Sequence, residues 1–178
     1  RRDRLPAERR IGGEEGLDEG DILVYNAPYG TGAHPQDAAL VMPVFLGDGE
    51  LIGYTVIKAH WMDIGGRGAY CTDTTDVFQE GLQLPGVKLF KKGVLNDDVF
   101  NIILANTRLP LPTTGDVRSQ AAGVHMGARE FRELVERFGK ETFWTHVEHM
   151  LDHGEALVRQ YFENIPDGEY VESAFLDD

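Results

Sequence analysis

The chain has one cysteine, no long apolar run and few cations, and each shortage closes off a class of function. With Cys71 alone among 178 residues, no internal disulfide can form, and the usage fits a reducing compartment such as a cytoplasm. No apolar stretch is long enough to span a bilayer. Lysine and arginine number 17 against 30 aspartates and glutamates, giving a formal charge of -13. Nucleic acid or an anionic membrane surface would repel such a chain. Residues 1–10 hold five arginines with no apolar stretch behind them, which sets them apart from a signal peptide. The glycine-rich segments Tyr29–Gly32 and Gly65–Gly68 lack the lysine and hydroxyl of a phosphate-binding loop, so any nucleotide must come from a partner.

What is present suffices for a core. The chain is about one domain's worth, and its 42% hydrophobic content is ordinary. Residues 21–26, 40–45, 51–60 and 87–90 read as strands, with Gly47-Asp48-Gly49 as a hairpin turn between the second and third. Asn96 followed by Asp97 and Asp98 opens a helix to about Arg108, ended by Pro110 and Pro112. Val117, Ala121, Val124, Ala128, Phe131, Val135 and Phe138 then alternate spacings of four and three, one apolar stripe on a long helix, with Gly139 as its cap. Phe143, Val147, Met150, Gly154, Leu157 and Tyr161 repeat that spacing. The two stripes predict an antiparallel helical hairpin that buries both.

The fold class expected is α+β. A polar Arg/Gly-rich segment spans 1–20, a β-rich part 21–95, a helical part 96–165, and a further strand opens in 166–178. That last strand, Glu169–Phe175, has nothing in the chain to pair with, so the whole reads as a fragment of a larger fold.

Chemistry concentrates in two HxxD spacings. His34 and Asp37 stand in HPQD where a loop enters a strand, and His60 and Asp63 stand in AHWMD at the end of the next long strand. Pairing those strands about Gly47–Gly49 brings the two motifs to one end. Two imidazoles with one or two carboxylates suit Zn, Mn or Fe; the same residues could instead cap turns and hydrogen-bond loops. His146, His149 and His153 share a helix face beside the apolar stripe and read as a solvated or interface face, since three residues along one helix do not wrap an ion. His125 is a boundary residue, Asp73 and Asp76 are turn residues, and Arg67 is a surface loop cation. Cys71 has no adjacent cation to activate it.

The succession NAPYGTGAHPQD, KAHWMDIGG, CTDTTDVFQEG, PGVKLFKKG, ILANTR, GDVRSQ and GARE resembles the hydantoinase B/oxoprolinase family, from Asp21 to the C-terminus. The resemblance implies a catalytic subunit of an ATP-dependent cyclic amide hydrolase, with ATP on a hydantoinase A-like partner and a metal held by His34, Asp37 and His60. Asp63 is then an outer or alternative ligand and the candidate base. It also implies two alternatives: a subunit of an acetone/acetophenone-type ketone carboxylase, or a non-catalytic truncated member. The last is prompted by Ala27, which stands where the family's usual NDPY has an acid. A further acidic ligand that the family places upstream has no counterpart here.

Overall fold

In the computed structural model, residues 16–28, 34–69 and 72–175 are described. The loop glycines 30 and 32, Cys71 and most of the polar N-terminal segment lie outside them. The strands are β1 (Ile22–Tyr25), β2 (Asp37–Phe45), β3 (Leu51–His60), β4 (Pro85–Lys91) and β5 (Val94–Leu95), and the helices are α1 (Asp97–Ala105), α2 (Pro110–Phe138) and α3 (Lys140–Phe162). The chain divides into two compact units, Arg1–Glu133 and Leu134–Asp178.

The first unit is built on one antiparallel sheet in the order β3-β2-β1-β4-β5. Ala38, Leu40, Met42 and Val44 of β2 are buried together with Ile22 and Val24 of β1. β3 is an edge strand whose residues alternate in exposure along most of its length, as period-two patterning requires. α2 is fastened to this hairpin. The Thr55 hydroxyl donates to the Val124 carbonyl at 2.9 Å, and Arg132 Nε donates to the Phe45 carbonyl at 2.9 Å. A Cβ on Gly123 would overlap the end of the Ile57 side chain, which would have to turn aside.

The expected strands and helices are present with shifted limits. β2 starts three residues earlier than the apolar run, because pairing with β3 continues down to Asp37 opposite His60. The break expected before Pro110 is present, at 106–109, and Pro110 and Pro112 themselves sit in the first turn of α2, where a missing N–H costs nothing. Asn96 precedes α1 without capping it, its side-chain amide donating to the Lys88 carbonyl at 3.2 Å.

One expectation fails. The stripe of α2 is buried at Val117, Ala121, Val124, Ala128 and Val135, each at most 7% exposed, while Phe131 is half-buried and Phe138, at the helix end, is exposed. α3 by contrast buries no residue, so its stripe is surface and not the buried seam of a hairpin. Helical spacing arranges apolar residues on one side whether or not anything covers that side. Residues 169–175 pair with no strand among the described residues, in keeping with the sequence reading that they have no partner in this chain.

Candidate metal centre

Antiparallel pairing of β2 with β3 sets Asp37 directly opposite His60. The His60 Nδ1–H donates to Asp37 Oδ1 at 2.9 Å; the carboxylate can only accept, which places the ring proton on Nδ1. Lys58, two residues back on β3, puts its ammonium 3.3 Å from Asp37 Oδ2. The His60 hydrogen bond holds the Asp37 carboxyl below its ordinary pKa, and Lys58 adds to this against the opposing effect of burial. Asp37 is therefore a carboxylate at neutral pH. His34 completes the group, its ring centroid 6.2 Å from that of His60 and edge-on to it. The two motifs are thus brought together at one end of the hairpin.

Asp37 is bonded to His60 and Lys58, the His34 ring only lies against that of His60, and the three do not close on a shared point. Among the described residues, no three His, Cys, Asp or Glu side chains are gathered to hold an ion as they stand. Two imidazoles on one tetrahedral ion would sit with centroids roughly 5 Å apart, given metal–nitrogen bonds of about 2.0–2.1 Å. The 6.2 Å observed exceeds that by about 1 Å, within reach of rotamer changes in two exposed rings. The donor set, two nitrogens and a carboxylate, fits a divalent cation, and Asp37 Oδ2 already attracts one positive charge. A metal there would displace the Lys58 ammonium.

Asp63 is held away from this chemistry. Its side chain is fully buried, Arg108 Nη1 donates to Oδ1 at 2.8 Å, and the Gly65 N–H donates to the same oxygen at 3.0 Å. The Arg108 backbone N–H takes Oδ2, and Arg108 Nη2 reaches the Gly66 carbonyl. A proton acceptor needs an accessible lone pair, so the role expected of Asp63 as a base gives way to that of a clamp. It ties the loop after β3 to the turn between α1 and α2. Gly65, at φ +81°, lies so close to the Asn106 carbonyl that a Cβ would overlap it. The segment is closed further by the Leu82 N–H to Ile64 carbonyl bond at 2.9 Å and the Arg67 N–H to Gln79 carbonyl bond at 2.8 Å.

The remaining candidates are placed as turn and surface residues. Arg67 pairs with Asp73 at 3.0 Å, both exposed, and Asp76 caps a short 3-10 turn by accepting from the Phe78 N–H at 2.8 Å. His146 bonds the Thr142 carbonyl one turn back at 2.8 Å, and its ring lies 6.1 Å from that of His149.

Three supporting residues escaped reading from sequence. Asn26 is 2% exposed, and its side-chain amide donates to the Pro35 carbonyl at 2.7 Å and the Leu82 carbonyl at 2.9 Å. It thereby ties the residue next to His34 to the segment before β4. Trp61 and Gln120 are buried and joined at 2.7 Å from Nε1 to Oε1. All three lie in quoted motifs, NAPY, AHWMD and GDVRSQ, but nothing in their spacing says what they touch.

Comparison with known proteins places the chain. A family model described as hydantoinase B/oxoprolinase matches residues 7–178. Caprolactamase subunit beta of Pseudomonas jessenii is 34% identical over 98% of this chain and 30% of its own length. The crystal structure of the ATP-dependent caprolactamase from the same organism superposes with a TM-score of 0.83 at 35% identity, over 91% of this chain and 28% of that one. A nucleotide-free structure of acetone carboxylase superposes at 0.68 and 28% identity, over 74% of this chain and 17% of that one. This chain spans under a third of the length of these relatives. With the family model covering nearly its whole length, the chain belongs to the hydantoinase B/oxoprolinase family.

Proposed function

We propose that this chain is the metal-binding part of a catalytic subunit that opens a cyclic amide together with an ATP-binding, hydantoinase A-like partner. The supporting observation is the register that sets Asp37 against His60, with the His34 ring 6.2 Å away. A lactam is a cyclic amide, and the caprolactamase match is the longer and tighter of the two structural matches. In this reading the partner uses ATP to phosphorylate the amide oxygen, which makes the carbonyl carbon electrophilic. His34, Asp37 and His60 hold Zn, Mn or Fe. A divalent cation there would supply Lewis-acid polarisation of an oxygen and make water a stronger nucleophile at neutral pH. For Asp37 and His60 to share one ion, the His60 Nδ1–H to Asp37 Oδ1 hydrogen bond would give way, freeing the carboxylate, a fixed negative charge, to ligate beside the imidazole. Asp63 and Arg108 hold the neighbouring loop.

A ketone carboxylase subunit is the second reading, favoured by the acetone carboxylase likeness. The test is elemental analysis of the purified chain with and without its partner, followed by turnover assays. Stoichiometric Zn, Mn or Fe, lost in His60→Ala, and ATP- and partner-dependent opening of a lactam or hydantoin are the expected results. No stoichiometric metal even with the partner present would sink the proposal, and turnover of a ketone with bicarbonate alone would move it to the second reading.

A further inference from the structure

The buried amide of Gln120 has no part in the function just proposed, and its three hydrogen bonds converge on the end of the hairpin that carries the site. Gln120 is 4% exposed. Its Nε2 donates to the Ala38 carbonyl at 2.9 Å and the Ile57 carbonyl at 3.1 Å, one on each strand. Its Oε1 accepts from the Trp61 indole at 2.7 Å. Ala38 follows Asp37 and Trp61 follows His60. Trp61 is 1% exposed, and its backbone N–H donates to the Gln36 carbonyl at 2.8 Å, between His34 and Asp37.

We infer that Gln120 is a positioning residue for the His34, Asp37 and His60 cluster, acting through Trp61 and the two strand carbonyls; the inference rests on the site reading above. The physical reason lies in the sheet. β3 is an edge strand, so its last residues are held by β2 on one side alone, and an edge-strand end frays unless something else secures it. α2 runs along this hairpin as a stiff bar, fastened farther back at Thr55 and Phe45. Gln120 is its attachment at the site end. A fully satisfied buried amide defines one position, because sliding the helix or either strand leaves a buried donor or acceptor without a partner. An apolar side chain of the same length would fill the space and leave the strand ends free to shift, with His60 and Asp37 one residue away from the anchored groups.

The experiment compares the full chain with Gln120→Met and Trp61→Phe, at a temperature where circular dichroism shows each variant folded. Zn2+ binding is measured by equilibrium dialysis, and amide exchange at Asp37, His60 and Trp61 by NMR. Removing the support of a metal ligand commonly weakens binding by about 10–100-fold. That loss, with faster exchange at the three amides, is the expected result. A purely structural role would lower the melting temperature and leave Zn2+ affinity of the folded protein unchanged. Wild-type affinity and exchange in the folded variants would overturn the inference. Should Gln120→Met not fold, Trp61→Phe carries the test, since it keeps an aromatic side chain, smaller than the indole, and removes the N–H that Gln120 Oε1 accepts. If the wild-type chain binds no Zn2+, the site reading fails separately. Exchange at Asp37 and His60 then decides, accelerated exchange upholding the latch and unchanged exchange overturning it.

Discussion

Leu40 and Leu157 each sit on a regular apolar pattern, one on β2 and one on α3, yet Leu40 is 0% exposed and Leu157 49%. The first unit closes around its pattern, with the sheet, α2 and the loop after β3 sharing buried side chains and satisfied polar groups. In the second unit, α3 carries an equally regular stripe with Met150 74% and Tyr161 80% exposed. Beside it, Leu134, Phe138, Phe143, Val147 and Met150 line an apolar groove of about 340 Å³. The contrast separates two properties that a periodic pattern confounds. Periodicity states that a face is apolar, whereas burial requires an opposing surface.

The sharpest way to break this contrast is to delete the same side chain in both places. Leu40→Ala should cost about 2–5 kcal/mol, and Leu157→Ala should stay within about 0.5 kcal/mol, read from urea unfolding of the chain. Equal losses would mean that the α3 stripe is covered. Next in size is the clamp. Arg108→Ala leaves the Asp63 carboxylate buried with only backbone donors. About 2 kcal/mol is expected, below the 3–5 kcal/mol typical of breaking a wholly buried pair, because the Arg108 side chain is 51% exposed. A change under about 0.5 kcal/mol by the same method would show the loop to be held by its glycine packing instead.

A smaller effect depends on pH. Asp21 is fully buried against Lys88 at 2.7 Å. Burial pushes its carboxyl pKa up, but the Lys88 hydrogen bond and charge and the N–H groups of Asp18 and Lys92 outweigh this and leave it below the ordinary value of 3.8. A depressed folded pKa adds stability that is complete above the unfolded value and lost as pH falls through the folded one. Wild type should therefore lose melting temperature more steeply than Asp21→Asn below about pH 4; parallel melting curves would remove Asp21 from the account. The smallest test uses two helical glycines. Gly154 on α3 has open space around it, so Gly154→Ala should gain about 0.5–1 kcal/mol from helix propensity. Gly123→Ala should gain less or lose, since its Cβ would meet Ile57, and calorimetry of the two variants would show the difference.

The meeting of the two motifs was legible in the sequence. HPQD and AHWMD stand on either side of one hairpin, and a hairpin turn at Gly47–Gly49 makes their meeting a matter of counting residues. The role of Asp63 was not legible, because Arg108 lies 45 residues away and only folding shows that its guanidinium takes the carboxylate. Gln120 was hidden for the same reason, since its partners are 59, 63 and 82 residues distant. Pro110 and Pro112 marked the helix boundary, but spacing did not show that they begin the second helix, because proline reads equally as a break or as a first turn.

By itself, the sequence determined the α+β class, the succession of the four longer strands and three helices, the buried greater part of the α2 stripe and the family, since these follow from local periodicity and ordered motifs. Only the tertiary structure decided which apolar faces are covered, that Asp63 clamps a loop and that Gln120 latches the site end of the hairpin. Those depend on long-range contacts, in which a side chain's partner is set by packing and by the need to satisfy every buried polar atom, and neither is written in local spacing.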